Sequence, residues 1–186
     1  MEKIVLGITG EIAGGKGTIT AYLEDKHGAS SAKFSSALRD VAKRMHLEEN
    51  RENLQKISTM FRENFNGNIL SEVIYEDVKE MKSEIIVIDG VRRMADIEFL
   101  KRLPGFRLIY TDASMENRFE RITQRGENAD DNTKTFEDFK KDHEREAELQ
   151  IKGLKNEADF VVDNNGTLKE LYDQIDKIIK GLKEKK

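Results

Sequence analysis

The chain has no cysteine and no tryptophan, and its one proline is Pro104. Without cysteine there is no disulfide, no thiol nucleophile and no thiolate metal site, and nothing calls for an oxidising compartment. Long apolar runs are missing too. The longest are four or five residues, against the ~20 that a bilayer-spanning helix needs, so no membrane segment is expected. An apolar strand pattern starts within three residues of Met1, which leaves no room for a signal peptide and points to a cytoplasmic protein. Nor does one sign of charge dominate: 32 Lys and Arg stand against 36 Asp and Glu, intermixed, for a net charge of −4. That balance argues against broad nucleic-acid binding, which wants a basic surface. It leaves room for a small phosphorylated ligand held by local arginines. His27, His46 and His143 are scattered without metal-ligand spacing.

What is present is an alternation of short apolar runs with longer amphipathic stretches, the pattern of a parallel sheet covered by helices. At 186 residues the chain suits one compact domain. Strands are expected at 3–9, 29–34, 85–89, 106–111 and 158–163. Helices are expected near 16–26, 94–102, 114–124, 135–152 and 167–182. The run Ile85-Ile86-Val87-Ile88 is apolar on both faces, as a central parallel strand must be.

Residues 35–82 hold no strand pattern, only three helical ones. Ser35 or Ser36 is a candidate cap for the first, with Leu38, Val41, Ala42 and Met45 on one face. Leu54, Ile57, Phe61 and Phe65 stripe the second; Ile69, Leu70, Val73, Ile74 and Val78 stripe the third. These apolar residues read as core rather than as ligand contacts. An all-helical insert placed here is expected over the sheet edge where ligands bind. A polar segment from Gly126 to Thr135 lacks apolar periodicity and reads equally as a lid or as a surface loop.

The chemistry starts at residues 10–18, Gly-Glu-Ile-Ala-Gly-Gly-Lys-Gly-Thr, between the strand pattern at 3–9 and the helix pattern from 16. A strand, a glycine-rich turn with one lysine and then a helix form a cradle for nucleotide phosphates. Backbone N–H groups of Gly10, Gly14, Gly15 and Gly17 are free to turn inward, and Lys16 supplies a mobile charge for the β- and γ-phosphates. Gly-x4-Gly-Lys alone would arise by chance in roughly one chain of this length in twenty. The flanking strand and helix make the match far more specific. The hydroxyl comes one place late, at Thr18, because Gly17 follows Lys16.

Asp89 ends the most apolar strand. In a parallel sheet it shares the carboxyl edge with the glycine-rich turn, so Asp89 and Thr18 are candidates to hold Mg²⁺ beside the phosphates of ATP. Phosphoryl transfer needs alignment and charge stabilisation more than covalent chemistry, which directs attention to arginine. Arg92 and Arg93 follow Asp89, Arg39 lies early in the first insert helix, and Arg121 and Arg125 sit four apart on one helix face before the polar segment.

Gly-Lys-Gly-Thr resembles adenylate kinases and related nucleoside monophosphate kinases. Asp89-Gly90-Val91-Arg92-Arg93 looks like their Asp-Gly-Phe-Pro-Arg segment, Leu38-Arg39 loosely like an acceptor-site segment, and Arg121-Ile122-Thr123-Gln124-Arg125 like the two-arginine helix before their lid. Arg145 could match a later lid arginine. The whole chain is more similar still to archaeal-type adenylate-kinase-like proteins. Asp163-Asn164-Asn165-Gly166-Thr167 also resembles dephospho-CoA kinase.

The resemblance implies an α/β, three-layer P-loop kinase fold with a five-stranded parallel sheet. Its core would be 1–34, 83–125 and 146–186, with a helical acceptor-binding insert at 35–82 and a short lid at 126–145. It implies that Lys16 and the loop bind ATP and that Thr18 and Asp89 organise Mg²⁺. Arg39 with Arg92 or Arg93 would grip the acceptor phosphate, and Arg121 and Arg125 would close over the transferring group. The expected partner is a small nucleotide acceptor, with the protein a monomer or homodimer. Two other readings stay open: a dephospho-CoA or other small-molecule kinase, and an ATP-switched assembly or regulatory factor.

Overall fold

The computed structural model describes residues 3–125, 135–142 and 146–184. Five strands, β1 (Ile4–Thr9), β2 (Ser30–Lys33), β3 (Ile85–Asp89), β4 (Phe106–Asp112) and β5 (Phe160–Asp163), form one sheet in the order β2-β3-β1-β4-β5. Every pairing is parallel. Each expected strand is present within two residues of its anticipated ends. Because the order reverses around β1, the connections leave β1 and its neighbours on opposite sides. The resulting crevice lies at the carboxyl ends of β1, β3 and β4.

Strand side chains alternate between two separate cores. Ile4, Leu6, Ile8, Ile85, Val87 and Ile109 pack against Ile19 and Leu23 of α1 (Lys16–His27) and against Leu171, Ile175 and Ile179 of α9 (Leu168–Glu184). Val5, Ile86, Ile88 and Leu108 point the other way. They pack against α2 (Phe34–Arg44), α3 (Arg51–Asn64), α4 (Ile69–Glu80) and α5 (Met94–Leu100). The sheet is therefore the middle of three layers, and β1 up to Ile8 and β3 up to Ile88 are apolar because neither face meets water. At Gly7 a β-carbon would come within 3.0 Å of the Phe106 ring, so glycine lets that ring lie flat against β1.

The helical stretch from 34 to 80 divides in its packing. Leu70, Ile74 and Val78 of α4 belong to the same core as Ile86 and Ile88, so α4 roofs the sheet. Among the described residues of α3 only Ile57 is buried. Two sequence expectations need correction here. Lys33, not Ser35 or Ser36, caps α2, because β2 runs straight into the helix with Lys33 still extended and no side chain bonding the first turn. Met45 and Phe65 are 64% and 69% exposed: each sits at a helix C-cap, where the chain turns away from the core face. Of the helix expected over 135–152, the described residues show α7 (Phe136–Asp142) and α8 (Glu146–Gly153), followed by a 3₁₀ turn at Leu154–Glu157; residues 143–145 lie outside the described residues. Between Arg118-bearing α6 (Met115–Arg125) and α7, the 126–134 portion of the expected lid lies outside the described residues, as does Arg145.

Helix α9 is tied to α1 by more than apolar contact. Tyr22 donates to Asp176 Oδ1 at 3.0 Å, His27 Nε2 lies 2.8 Å from the same oxygen, and the Tyr22 and Tyr172 rings stack at 3.9 Å. Burial works against charge on the Asp176 carboxyl, but the bonds from His27 and Tyr22 outweigh it and hold the group below its ordinary range. A carboxyl depressed on folding adds stability that is present above its unfolded value and is lost as pH falls through its folded one. The melting-temperature advantage of the native protein over Asp176→Ala is thus expected to be full near neutral pH and to shrink below about pH 4. Thermal melts of both proteins across that range check it; an advantage independent of acid would refute the assignment.

Candidate active site

The turn from β1 into α1 is shaped by missing side chains. Gly10 has φ +146° and Gly15 has φ +99°, both in the region that L side chains avoid. A β-carbon on Gly10 would run into the hydroxyl and carbonyl of Thr111 at the end of β4. One on Gly15 would run into the Asn164 amide. Asn164, buried beyond β5, donates to the Gly14 carbonyl at 2.9 Å, and its own N–H donates to the Asp112 carbonyl at 2.8 Å. Two neighbouring strands thus press the turn into place. Lys16 opens α1 and bends back across the loop, donating to the carbonyls of Gly10 at 2.7 Å and Glu11 at 3.0 Å. Its ammonium is held over the concave side of the turn, where phosphate oxygens would be received.

Thr18 and Asp89 fit a divalent cation by what they leave undone. The Thr20 hydroxyl bonds back to the Lys16 carbonyl at 3.1 Å, but the Thr18 hydroxyl makes no such bond. Among the described residues Asp89 has neither hydrogen bond nor ion pair. It pairs in register with Ile8, next to the start of the turn. A half-buried carboxylate without internal partners at this edge has the oxygen chemistry that Mg²⁺ prefers. No cluster of three or more metal-binding side chains occurs among the described residues.

The strand-end loop after Asp89 is anchored to the turn: the Thr9 hydroxyl donates to the Val91 carbonyl at 2.8 Å. Gly90, at φ +94°, lets the chain swing out so that Arg92 and Arg93 reach solvent at the crevice. Their backbone is fixed by Asp96. This carboxylate is buried at the third position of α5 and accepts from the amides of Arg92 and Arg93, each at 3.2 Å, and from the Ser71 hydroxyl at 3.0 Å. Helix α3 adds Arg62 beside the same carboxylate at 3.8 Å. Burial, with the Arg93 charge nearby, pushes the Arg62 guanidinium below its ordinary range, and Asp96 pulls it back up.

The remaining arginines divide by task. Arg39 is exposed and turned to Glu49, 3.3 Å from both its carboxylate and its carbonyl. Arg121 donates to the Asn164 carbonyl at 2.7 Å, and its Nη1 is buried without a partner. Arg118, three residues earlier, is structural. Its side chain is 3% exposed; it donates to the carbonyls of Ala113 and Ile12 and pairs with Glu11 at 3.2 Å. For Arg125 the described structure covers only the backbone at the end of α6.

Glu11, Asp96 and Arg62 were not singled out as site residues from sequence, and Asn164 entered only through the resemblance of its segment to dephospho-CoA kinase. Asp96 did leave a trace there, as an acid three residues beyond a helix-start position.

Residues 10–140 match the family model described as AAA domain. Along its full length the chain is 27% identical to a UPF0200 protein of Methanothermobacter thermautotrophicus, covering 94% of it. A UPF0200 protein of Thermococcus gammatolerans is 30% identical, with 96% of this chain and 97% of that one aligned. In three dimensions the chain is similar to TT1252 from Thermus thermophilus, with TM-score 0.67 at 16% identity over 98% of this chain and 99% of that one. It is also similar to shikimate kinase from Bacteroides thetaiotaomicron, with TM-score 0.65 at 12% identity over 97% and 98%. At such identities the likeness concerns the fold, which is that of P-loop kinases.

The turn geometry yields a paired expectation. Gly15→Ala places a methyl group against Asn164 at a strained φ. It should lower stability by roughly 1–3 kcal/mol and weaken Mg-ATP binding at least tenfold. At Gly17 a β-carbon meets nothing within 4 Å, and Gly17→Ala should leave the melting temperature unchanged or slightly raised. Asp96→Ala, which strands two amides and a hydroxyl, should cost about 3 kcal/mol. Denaturant titrations of the three variants test this set.

Proposed function

The chain belongs to the AAA domain family and to the UPF0200 proteins, and from that footing we propose that it is an ATP-dependent kinase of nucleoside or deoxynucleoside monophosphates. The observation that carries the reading is the single crevice shared by Lys16 over its turn, the uncommitted Asp89 and Thr18, and the Arg92–Arg93 loop pinned to Thr9. A donor triphosphate and an anionic acceptor would meet end to end there. The helical insert at 35–82, which carries Arg39, would form the acceptor side.

Each residue has a part in the transfer. Amides of the turn and the Lys16 ammonium bind the β- and γ-phosphates and neutralise charge as it moves toward the leaving oxygen. Lys16 must first give up the carbonyls of Gly10 and Glu11, an exchange of neutral acceptors for charged ones that favours the bound state. Thr18 and Asp89 would hold Mg²⁺, which screens the phosphate charges. Arg92 or Arg93, with Arg39, would orient the acceptor phosphate; an acceptor that brings its own nucleophilic oxygen needs no general base. Arg121 and Arg125 would supply positive charge from α6 to the transferring group and help exclude water. Arg121 would have to swing from the Asn164 carbonyl, and its buried, unpartnered Nη1 means that little hydrogen bonding is lost in doing so. Among the described residues no helix is long and apolar enough to cross a membrane.

Incubation with Mg-ATP and a panel of nucleoside and deoxynucleoside monophosphates plus dephospho-CoA, with products resolved chromatographically, tests the proposal. A diphosphate formed from one or a few monophosphates is the expected outcome, and Lys16→Ala should lower its rate by at least a thousandfold. Conversion of dephospho-CoA alone would move the assignment to that acceptor. ATP bound with no acceptor converted would point to an ATP-switched factor instead.

A further inference from the structure

Arg62 is a long cation in an unusual position. Its side chain is only 13% exposed, and it lies between α3 and the loop that carries Arg92 and Arg93. Its hydrogen bonds within the chain are few. Nη1 donates to the Gly67 carbonyl at 2.7 Å and Nε to the Ser58 hydroxyl at a long 3.4 Å. Nη2 makes only the 3.8 Å approach to Asp96, which is beyond hydrogen-bond reach. Asp96 has little more to offer, because its oxygens already receive Ser71 and the amides of Arg92 and Arg93.

The charge balance points the same way. Arg62, Arg92 and Arg93 gather near one carboxylate, and neither Arg92 nor Arg93 has an ion pair among the described residues. A guanidinium taken out of water beside a second one is expensive unless an anion completes it. Among the described residues Asp96 is the one carboxylate that pairs with Arg62, and burial first, then the Arg93 charge, lowers the proton affinity of Arg62. The loop concerned is tied through Val91 to Thr9, one residue before the phosphate-binding turn. An anion placed between Arg62 and Arg93 would therefore sit on the acceptor side of the crevice.

We propose that Arg62 is an acceptor-binding residue, which together with Arg93 forms a two-guanidinium receptor for a phosphate monoester on the acceptor. This rests on the kinase reading given above and narrows it. The acceptor must carry a dianionic group, and a neutral polyol or nucleoside would not be gripped. Asp96 is the positioning residue of the receptor, because it fixes the backbone of Arg93 and stands beside Arg62 without neutralising both.

The test uses the full chain saturated with Mg-ADP, so that the glycine-rich turn is occupied, and titrates orthophosphate while recording the arginine Nε–Hε resonances by NMR. The Arg62 resonance should shift along a saturating curve. The phosphate Kd should rise at least tenfold in Arg62→Met and recover in part in Arg62→Lys, which keeps the charge but loses the fork. A resonance that stays still while phosphate binds would overturn the proposal, as would a folded Arg62→Met protein that binds phosphate with native affinity. If Arg62→Met does not fold, the native resonance decides by itself. The kinase reading fails separately: it is lost if Mg-ADP leaves the amides of residues 14–18 unmoved, and the Arg62 resonance still reports on phosphate in that case.

Discussion

The turn between Gly10 and Gly15 has walls that admit no β-carbon, and the rest of the site takes its position from it. Thr111 closes one side from β4 and Asn164 closes the other from beyond β5. Neither strand is a sequence neighbour of the turn; they reach it only because the parallel sheet sets the carboxyl ends of β1, β4 and β5 side by side. The turn in turn fixes where α1 begins, and hence where Lys16 stands. Thr9 then carries the register across to Val91 on the far side of the crevice. A change at Thr111 or Asn164 would be felt at the lysine without touching it.

Within that frame the carboxylates do opposite things. Glu11 and Asp96 are committed inward. Glu11 joins the turn to α6 through Arg118, and Asp96 ties α4 to the arginine loop through Ser71. The side chain of Asp89, at the same sheet edge, has no hydrogen bond or ion pair among the described residues. Satisfied buried acids stiffen their surroundings, whereas an unsatisfied acid at a strand end is open to a ligand. The arginines divide similarly, with Arg118 consumed by the fold and Arg92 and Arg93 left to solvent. The site is built from committed groups that hold uncommitted ones in place.

How far the sequence revealed this depended on the range of each signal. The strands were legible because a sheet buried on both faces demands continuous apolar runs, and Ile85–Ile88 could hardly be anything else. The glycine-rich turn was legible because its constraint is local: each residue needed lies within nine positions. Its walls were not, since nothing in the spacing of Thr111 or Asn164 from Gly10 says that they touch. The ends of the insert helices were misread for a related reason. Met45 and Phe65 keep the apolar spacing of their helices, but periodicity assigns a face and not the point at which the helix outruns what it packs against.

Arg62 shows the same limit at the level of function. In sequence it is one basic residue in a polar helix, 27 residues from Asp89 and with no motif around it. Only the packing of α3 beside the α5 cap reveals that it is largely desolvated, incompletely hydrogen-bonded and beside the carboxylate that fixes the Arg93 backbone. A surface arginine in a flexible ion pair contributes little to stability or recognition, because water competes for it. An arginine held in place and short of an anion differs in both respects. Its conformational entropy is already spent on folding, so a phosphate meets a receptor that needs little further ordering. The imbalance of charge that makes Arg62 a burden on the folded chain is then the same property that would make it a discriminating ligand for an anionic acceptor.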